Sequence, residues 1–143
     1  MPVAEGKLDE ALEVYRRRIE ICQGKLVNGR TNLQAIEDRQ IAIERISDVA
    51  FEFVLRGEFQ KAIDITEEAI AVLPNSASPN LRHAHALMLL NRADKARLLY
   101  QRFRSGKATP ELTWQDVICW DFSAMRNVGF AHALMAEIEG KAG

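Results

Sequence analysis

The chain has 143 residues, of which 48% are hydrophobic and 27% are charged, and its formal net charge is −1. These values are typical of one soluble globular domain. The near-zero charge argues against a broad field that would steer nucleic acid or anionic lipid. The sequence shows neither an apolar run of about 18 residues nor a basic, apolar leader. We therefore expect a cytoplasmic protein that binds neither nucleic acid nor a membrane.

The first predicted helix carries apolar residues at steps of three and four. They form one stripe: Leu8, Leu12, Tyr15, Ile19, Cys22 and Leu26. Asn28-Gly29 is the predicted stop, because both residue types tolerate the left-handed backbone of a helix end. Thr31, with Gln34 three residues later, is the predicted N-cap of the second helix.

The second predicted helix runs from about Asn32 to Arg56 and ends at Gly57. Its inward face is predicted to carry Ile36, Ile43, Ile46, Val49, Ala50 and Phe53. A third helix follows over about residues 58–73, where Pro74 stops it.

Ser78 as a cap and Pro79 at the first helical position predict a fourth helix that ends near Asn91. A fifth covers about residues 93–103, Thr109-Pro110 opens a sixth that Gly129 closes, and a seventh spans about 131–139. No stretch alternates as a half-buried strand would. The sequence therefore predicts an all-α chain of antiparallel helices in one domain, residues 1–143.

An internal repeat is visible at an offset of 34 residues. Residues 57–63 (Gly-Glu-Phe-Gln-Lys-Ala-Ile) align with residues 91–97 (Asn-Arg-Ala-Asp-Lys-Ala-Arg), and the same offset takes Ala50 to Ala84. Small residues at these places permit close helix crossings, and Gly57 suits the turn between two helices. A helix–turn–helix unit with this period resembles the tetratricopeptide repeat.

The resemblance extends to residues 6–15, which match the turn and second helix of a unit, but this copy is out of phase. Gly6 and Gly57 lie 34 plus 17 residues apart, and the extra residues are interpreted as two longer helices. A disordered insertion is the disfavoured alternative, because the apolar stripe persists. The resemblance implies antiparallel hairpins stacked as a right-handed α-solenoid of about seven helices. Its parts are an elongated hairpin (6–56), repeats (43–76 and 77–110) and a degenerate capping repeat (111–143).

Two departures from the repeat pattern bear on function. The chain begins at the second helix of a unit, which predicts either the C-terminal piece of a longer protein or a second chain over the first stripe. In the last unit, Ile118 and Asp121 stand where a small residue and an aromatic are expected. The segment from Trp114 to Met135 is similar to the closing segment of bacterial tetratricopeptide proteins.

The resemblance implies a binding groove, because the first helix of each unit lines the concave surface in that family. The register assigns to this groove Ser47, Phe51, Val54, Leu81, Arg82, His85 and Met88. Such a wall suits a peptide or helical segment of a protein partner. In the alternative, Leu81 and Met88 pack beneath the last helices and Phe51 faces the core. Clamping of a C-terminal carboxylate is disfavoured, because Ser47 and Phe51 stand where that function needs lysine and asparagine.

The leading functional hypothesis is therefore a protein–protein interaction or scaffolding module. The alternatives are a regulatory domain of a larger protein and a self-associating domain. In the latter, two copies form a homodimer through the stripe of Leu8, Leu12, Tyr15 and Ile19.

The chemistry-bearing residues favour neither catalysis nor a cofactor. His83 and His85 lie two apart on a helix and point in different directions, so they cannot share a metal ion. Arg16-Arg17-Arg18 can pair with glutamates one turn away. Cys22 and Cys119 are interpreted as core thiols. No phosphate loop, nucleophile elbow or carboxylate pair is recognisable, so we predict no enzyme, no metal site and no cofactor.

Overall fold

The computed structural model describes residues 5–26 and 32–140. The elements in chain order are α1 (Glu5–Leu26), α2 (Leu33–Leu55), α3 (Phe59–Val72), α4 (Ala77–Leu89), α5 (Ala93–Phe103), β1 (Lys107–Thr109), β2 (Leu112–Thr113), α6 (Trp114–Asn127) and α7 (Ala133–Glu139). The prediction of an all-α class with seven helices is confirmed. A short antiparallel hairpin, β1–β2, departs from it within the described residues.

Consecutive helices from α1 to α5 pack against one another, and α2 also contacts α4. This order follows from the helical periodicity, because each apolar stripe needs a neighbour to cover it. The shared core of α1 and α2 includes Leu8, Leu12, Ile43, Ile46 and Phe53, all of them buried. At 22 and 23 residues, α1 and α2 are the longest helices in the described chain.

The turns α2–α3 and α4–α5 have the same geometry at the 34-residue offset. Gly57 and Asn91 both adopt left-handed backbone, with φ of 80° and 61°. The N–H of Glu58 donates to the carbonyl of Phe53 over 2.9 Å, and that of Arg92 donates to the carbonyl of Leu87 over 2.8 Å. These are the bonds that close a helix end around a left-handed residue. The sequence repeat is thus also a repeat of backbone conformation.

The N-terminus of α2 differs in detail from the prediction. Asn32 is the N-cap, and its side-chain oxygen accepts from the N–H of Ala35 over 3.0 Å. The predicted cap Thr31 and the predicted stop Asn28-Gly29 lie outside the described residues. Ile36, predicted to face inward, is 38% exposed.

The start of α4 also corrects the prediction. The helix begins at Ala77 after Ser76, and Pro79 occupies its third position, still within the first turn where the missing N–H removes no hydrogen bond. Ser78, the predicted cap, is inside the helix. Its hydroxyl instead bonds Ser47 across to α2.

The largest correction concerns residues 107–113, where a helix start was predicted at Thr109-Pro110. This segment is the β1–β2 hairpin, because the Thr109 hydroxyl accepts from the N–H groups of Glu111 and Leu112 and closes a tight turn. Helix α6 begins five residues after Thr109, at Trp114, with Thr113 as its N-cap.

Candidate functional site

The predicted binding groove, here called the α2–α4 face, is covered by the chain itself. Its seven residues are buried or partly buried: Ser47, Phe51, Val54, Leu81, Arg82, His85 and Met88. Helix α6 contacts α2, and the Phe122 ring lies 5.5 Å from the His85 ring. In the described chain these residues therefore do not line an open groove. The alternative, in which Leu81 and Met88 pack beneath the last helices, agrees with their burial.

The local sequence determines where α6 begins and which of its faces is apolar. The Thr113 hydroxyl accepts from the N–H of Asp116, and the Asp116 carboxylate accepts from the N–H of Thr113, which is a complete capping box. On the next turns, Ile118, Phe122 and Met125 recur at steps of four and three and are fully buried. Helix α6 therefore presents one apolar stripe to the rest of the core.

A charged residue interrupts that stripe and organises a buried polar cluster. Asp121 Oδ2 accepts from Arg82 Nε over 2.9 Å and lies 2.9 Å from His85 Nε2. On the other edge of the imidazole, His85 Nδ1 lies 2.6 Å from the hydroxyl of Tyr100. Both His85 and Tyr100 are fully buried. We call these four residues, Arg82, His85, Tyr100 and Asp121, the α6 anchor.

The protonation states of the anchor follow from its surroundings. Burial lowers the pKa of His85, so the ring is neutral near pH 7. Burial alone would raise the pKa of Asp121, yet the hydrogen bonds from His85 and Arg82 and the positive charge of Arg82 hold this pKa below its usual value. An ionised carboxylate only accepts, so His85 Nε2–H donates to Asp121, and Tyr100 O–H donates to His85 Nδ1. Burial, followed by the Asp121 charge, raises the pKa of Tyr100 well above normal.

Arg82 links this anchor to α2. Its Nη1 donates to the hydroxyls of Ser47 and Ser78 over 3.1 and 2.8 Å, and the two hydroxyls lie 2.7 Å apart. The same nitrogen is 3.3 Å from Asp48, and the guanidinium lies 5.1 Å from the centre of the Phe51 ring. The guanidinium is therefore held by α2, α4 and α6 together.

The sequence offered one signal for this cluster. Asp121 departs from the pattern of the resembled family, and an acid on an apolar stripe requires a buried cation or donor. Arg82 and His85 were assigned to the face that meets α6. Tyr100 carried no such signal in the sequence, because nothing in its spacing indicated that its hydroxyl reaches His85.

A cleft of about 380 Å³ remains beside the α2–α4 face, between α2 and the β1–β2 hairpin. Its walls include Ile41, Arg45 and Asp48 from α2, with Leu112 and Trp114 opposite. Charges of both signs line it, so the cleft favours no single class of ion.

The stripe predicted for self-association is mostly buried within the chain. Leu8, Leu12 and Ile19 are buried, and Tyr15 is partly buried. This is a correction: helix α2 packs against the stripe that was expected to lie open. The ion pairs Asp9–Lys61 and Arg16–Glu68, at 3.3 and 2.8 Å, join α1 to α3 alongside it.

Exposed apolar residues instead lie elsewhere on the first two helices. Of the eight large hydrophobic side chains that are exposed in the described residues, five belong to α1 and α2: Val14, Ile21, Leu33, Ile36 and Ile41. Val14 and Ile41 line a groove of about 180 Å³ between the two helices, which we call the outer hairpin groove. The other lining residues are Tyr15, Arg18, Asp38, Ala42 and Arg45.

The histidines and Arg16 lie at separate places and do not form a common site. His83 bonds Thr66 on α3 over 2.8 Å, His85 belongs to the α6 anchor, and the His132 ring accepts from the N–H of Leu134 at the start of α7. Across residues 5–26 and 32–140, no group of three potential ligands could hold a metal ion. Arg16 pairs with Glu13 and Glu68 rather than facing outward as a basic patch.

Comparison of the chain with family models, with curated proteins and with solved structures gave no match. None of the described helices combines the length and apolar character that a membrane-crossing segment requires.

Proposed function

We propose that this chain is a tetratricopeptide-like interaction module that binds an amphipathic helix of a partner protein in the outer hairpin groove. The supporting observation is the exposure of Val14 and Ile41, at 57% and 52%, beside a groove between two packed helices. Exposed aliphatic side chains that flank a concave apolar strip are characteristic of helix-in-groove recognition.

The packing of the array supports this location. Contacts between successive helices, together with the α2–α4 contact and the repeated turn, support the proposed stack of helical hairpins. In such an array each hairpin lies against its neighbours, so a helix laid along α1 and α2 continues the stack. The outer hairpin groove offers this place, whereas α6 fills the α2–α4 face.

The rim of the groove limits the chemistry of the partner. Arg18 and Arg45 lie beside the apolar floor, with Asp38 as the acid among the lining residues. A helix with aliphatic residues at steps of three and four and predominantly acidic flanks would match both features. The proposal assigns the protein no reaction, because the His85, Tyr100 and Asp121 side chains hold helices together in a buried cluster.

The test compares two variants that carry the same photocrosslinking residue at different exposed positions. A photocrosslinking residue at Val14 should capture a protein in cells of the source organism, and the same residue at Leu98, an exposed apolar position on α5, should not. Addition of Ile41→Glu should abolish capture from position 14. Equal capture from positions 14 and 98, or capture that survives Ile41→Glu, would refute the assigned surface.

Self-association through the same groove is a second candidate, because the rim carries both bases and an acid. In a twofold dimer, Arg18 of one copy could meet Asp38 of the other. Light scattering at micromolar concentration separates the two: a dimer that Val14→Glu converts to a monomer favours self-association.

A further inference from the structure

The α6 anchor suggests a second binding surface, independent of the outer hairpin groove. Helix α6 lies on the α2–α4 face, where Asp121 bonds Arg82 and His85 and Phe122 packs against the His85 ring. Side chains attach it to this face: the buried stripe of Ile118, Phe122 and Met125, and the Asp121 carboxylate. In the described chain, backbone bonds hold only its N-terminus, where the N–H groups of Trp114 and Gln115 donate to the carbonyls of Gly106 and Arg104.

This attachment includes a charged pair, Arg82 and Asp121. Arg82 and Asp121 are removed from solvent, and a buried ion pair is commonly no more stabilising than an apolar pair of the same size. Its effect is to select one partner geometry, because an apolar helix without the acid would leave Arg82 Nε without its acceptor and only the more exposed Asp48 as a counter-ion. The face under α6 is therefore complementary to a helix that carries a carboxylate between bulky apolar residues.

We propose that α6 is an exchangeable, autoinhibitory occupant of the α2–α4 face, and that a partner's amphipathic helix with the same acidic signature replaces it. The partner helix presents apolar residues at the positions of Ile118, Phe122 and Met125, and an aspartate or glutamate at that of Asp121. Its carboxylate takes the donors of Arg82 Nε and His85 Nε2. The tethered α6 competes at a high effective concentration, so the face opens only to a tighter or more abundant helix.

A peptide with the sequence of residues 112–128 serves as the probe, added to the full chain and followed by fluorescence anisotropy. The wild-type chain should bind it weakly. Asp121→Asn in the chain loosens the internal helix but leaves Arg82 and His85 in place, so the peptide should bind at least tenfold more tightly. The Asp121→Asn change in the peptide, or Arg82→Gln added to the Asp121→Asn chain, should cancel that gain. Equal peptide affinity for the wild-type and Asp121→Asn chains would overturn the proposal.

Hydrogen exchange of the wild-type chain gives an independent measurement that does not depend on how well a variant folds. Amides of α6 should exchange through a local opening that leaves the amides of α2 and α4 protected. If α6 amides open only together with those of α2 and α4, α6 is a permanent core element and the proposal fails. A concentration-dependent dimer with α6 exchanged between copies would also overturn it, because the occupant would then be a second copy.

Discussion

The outer hairpin groove and the α6 anchor depart in opposite ways from the rule that apolar side chains are mostly buried and charged side chains mostly exposed. In the groove, aliphatic residues such as Val14 and Ile41 remain in solvent. In the anchor, Arg82, His85 and Asp121 are withdrawn from it. Scattered exposed apolar residues are ordinary, whereas a buried charge or a grouped apolar surface needs a cause. The buried charges are satisfied within the chain; the exposed aliphatics have no covering helix in the described residues.

The two regions differ in whether their side chains already have partners inside the chain. Each polar side chain of the α6 anchor has a partner between 2.6 and 2.9 Å away, so the anchor stabilises the fold. The exposed groove residues Val14 and Ile41 contribute little to the fold, and their apolar surface is left uncovered in the described residues. Variants in the two regions should therefore affect different measurements.

Loss of the anchor carboxylate should have the largest effect. Asp121→Ala leaves Arg82 buried without its main counter-ion, and the free energy of unfolding should fall by about 3–5 kcal/mol. Urea denaturation measures it. Asp94→Ala is the matched control: Asp94 also pairs with an arginine, Arg97, but its side chain is fully exposed, so solvent screens the pair and the expected loss is small. Equal losses would show that burial does not distinguish the two pairs.

The next largest loss of stability is expected from overpacking the helix crossing at Ala62. Ala62 is fully buried where α3 meets its neighbours, and Ala62→Leu should lower the free energy of unfolding by about 1–3 kcal/mol. Ala71→Leu, an exposed alanine on the same helix, is the control and should change the melting temperature little. An unchanged melting temperature for Ala62→Leu would contradict the register that aligns Ala62 with Ala96.

The anchor should also make stability depend on pH. The folded chain holds the pKa of His85 below its ordinary value of 6.5, so the unfolded chain binds more protons as the pH falls through 6.5. Stability is therefore complete above pH 6.5 and decreases below it. The pKa of His83 is also lowered, chiefly by burial, and acts in the same direction.

His85→Gln removes one titrating group, so the loss of stability between pH 7.5 and pH 5 should be smaller than in the wild type. Thermal denaturation across that range measures the slope, and His132→Gln is the control. A slope that is unchanged in His85→Gln would show that His85 is not the group responsible.

The sequence predicted repetitive, local features well. The steps of three and four located the helices, and the offset that pairs Gly57 with Asn91 is visible in the backbone. The position of α6 could not be predicted in the same way. A turn closed by the Thr109 hydroxyl replaced the expected helix start, and the path after it depends on Asp121 meeting Arg82, 39 residues away in the chain. Periodicity carries no information on such long-range pairing of charges.

The smallest effect on stability is expected in the outer hairpin groove. Val14→Glu changes a side chain that is 57% exposed, so the free energy of unfolding should move by less than about 0.5 kcal/mol. Leu12→Ala, two residues earlier on the buried stripe of α1, should by contrast cost about 2–5 kcal/mol. Urea denaturation of both variants tests whether the stripe belongs to the fold and Val14 to a binding surface. A large loss in Val14→Glu would place Val14 in the core and leave the outer hairpin groove without its main apolar contact.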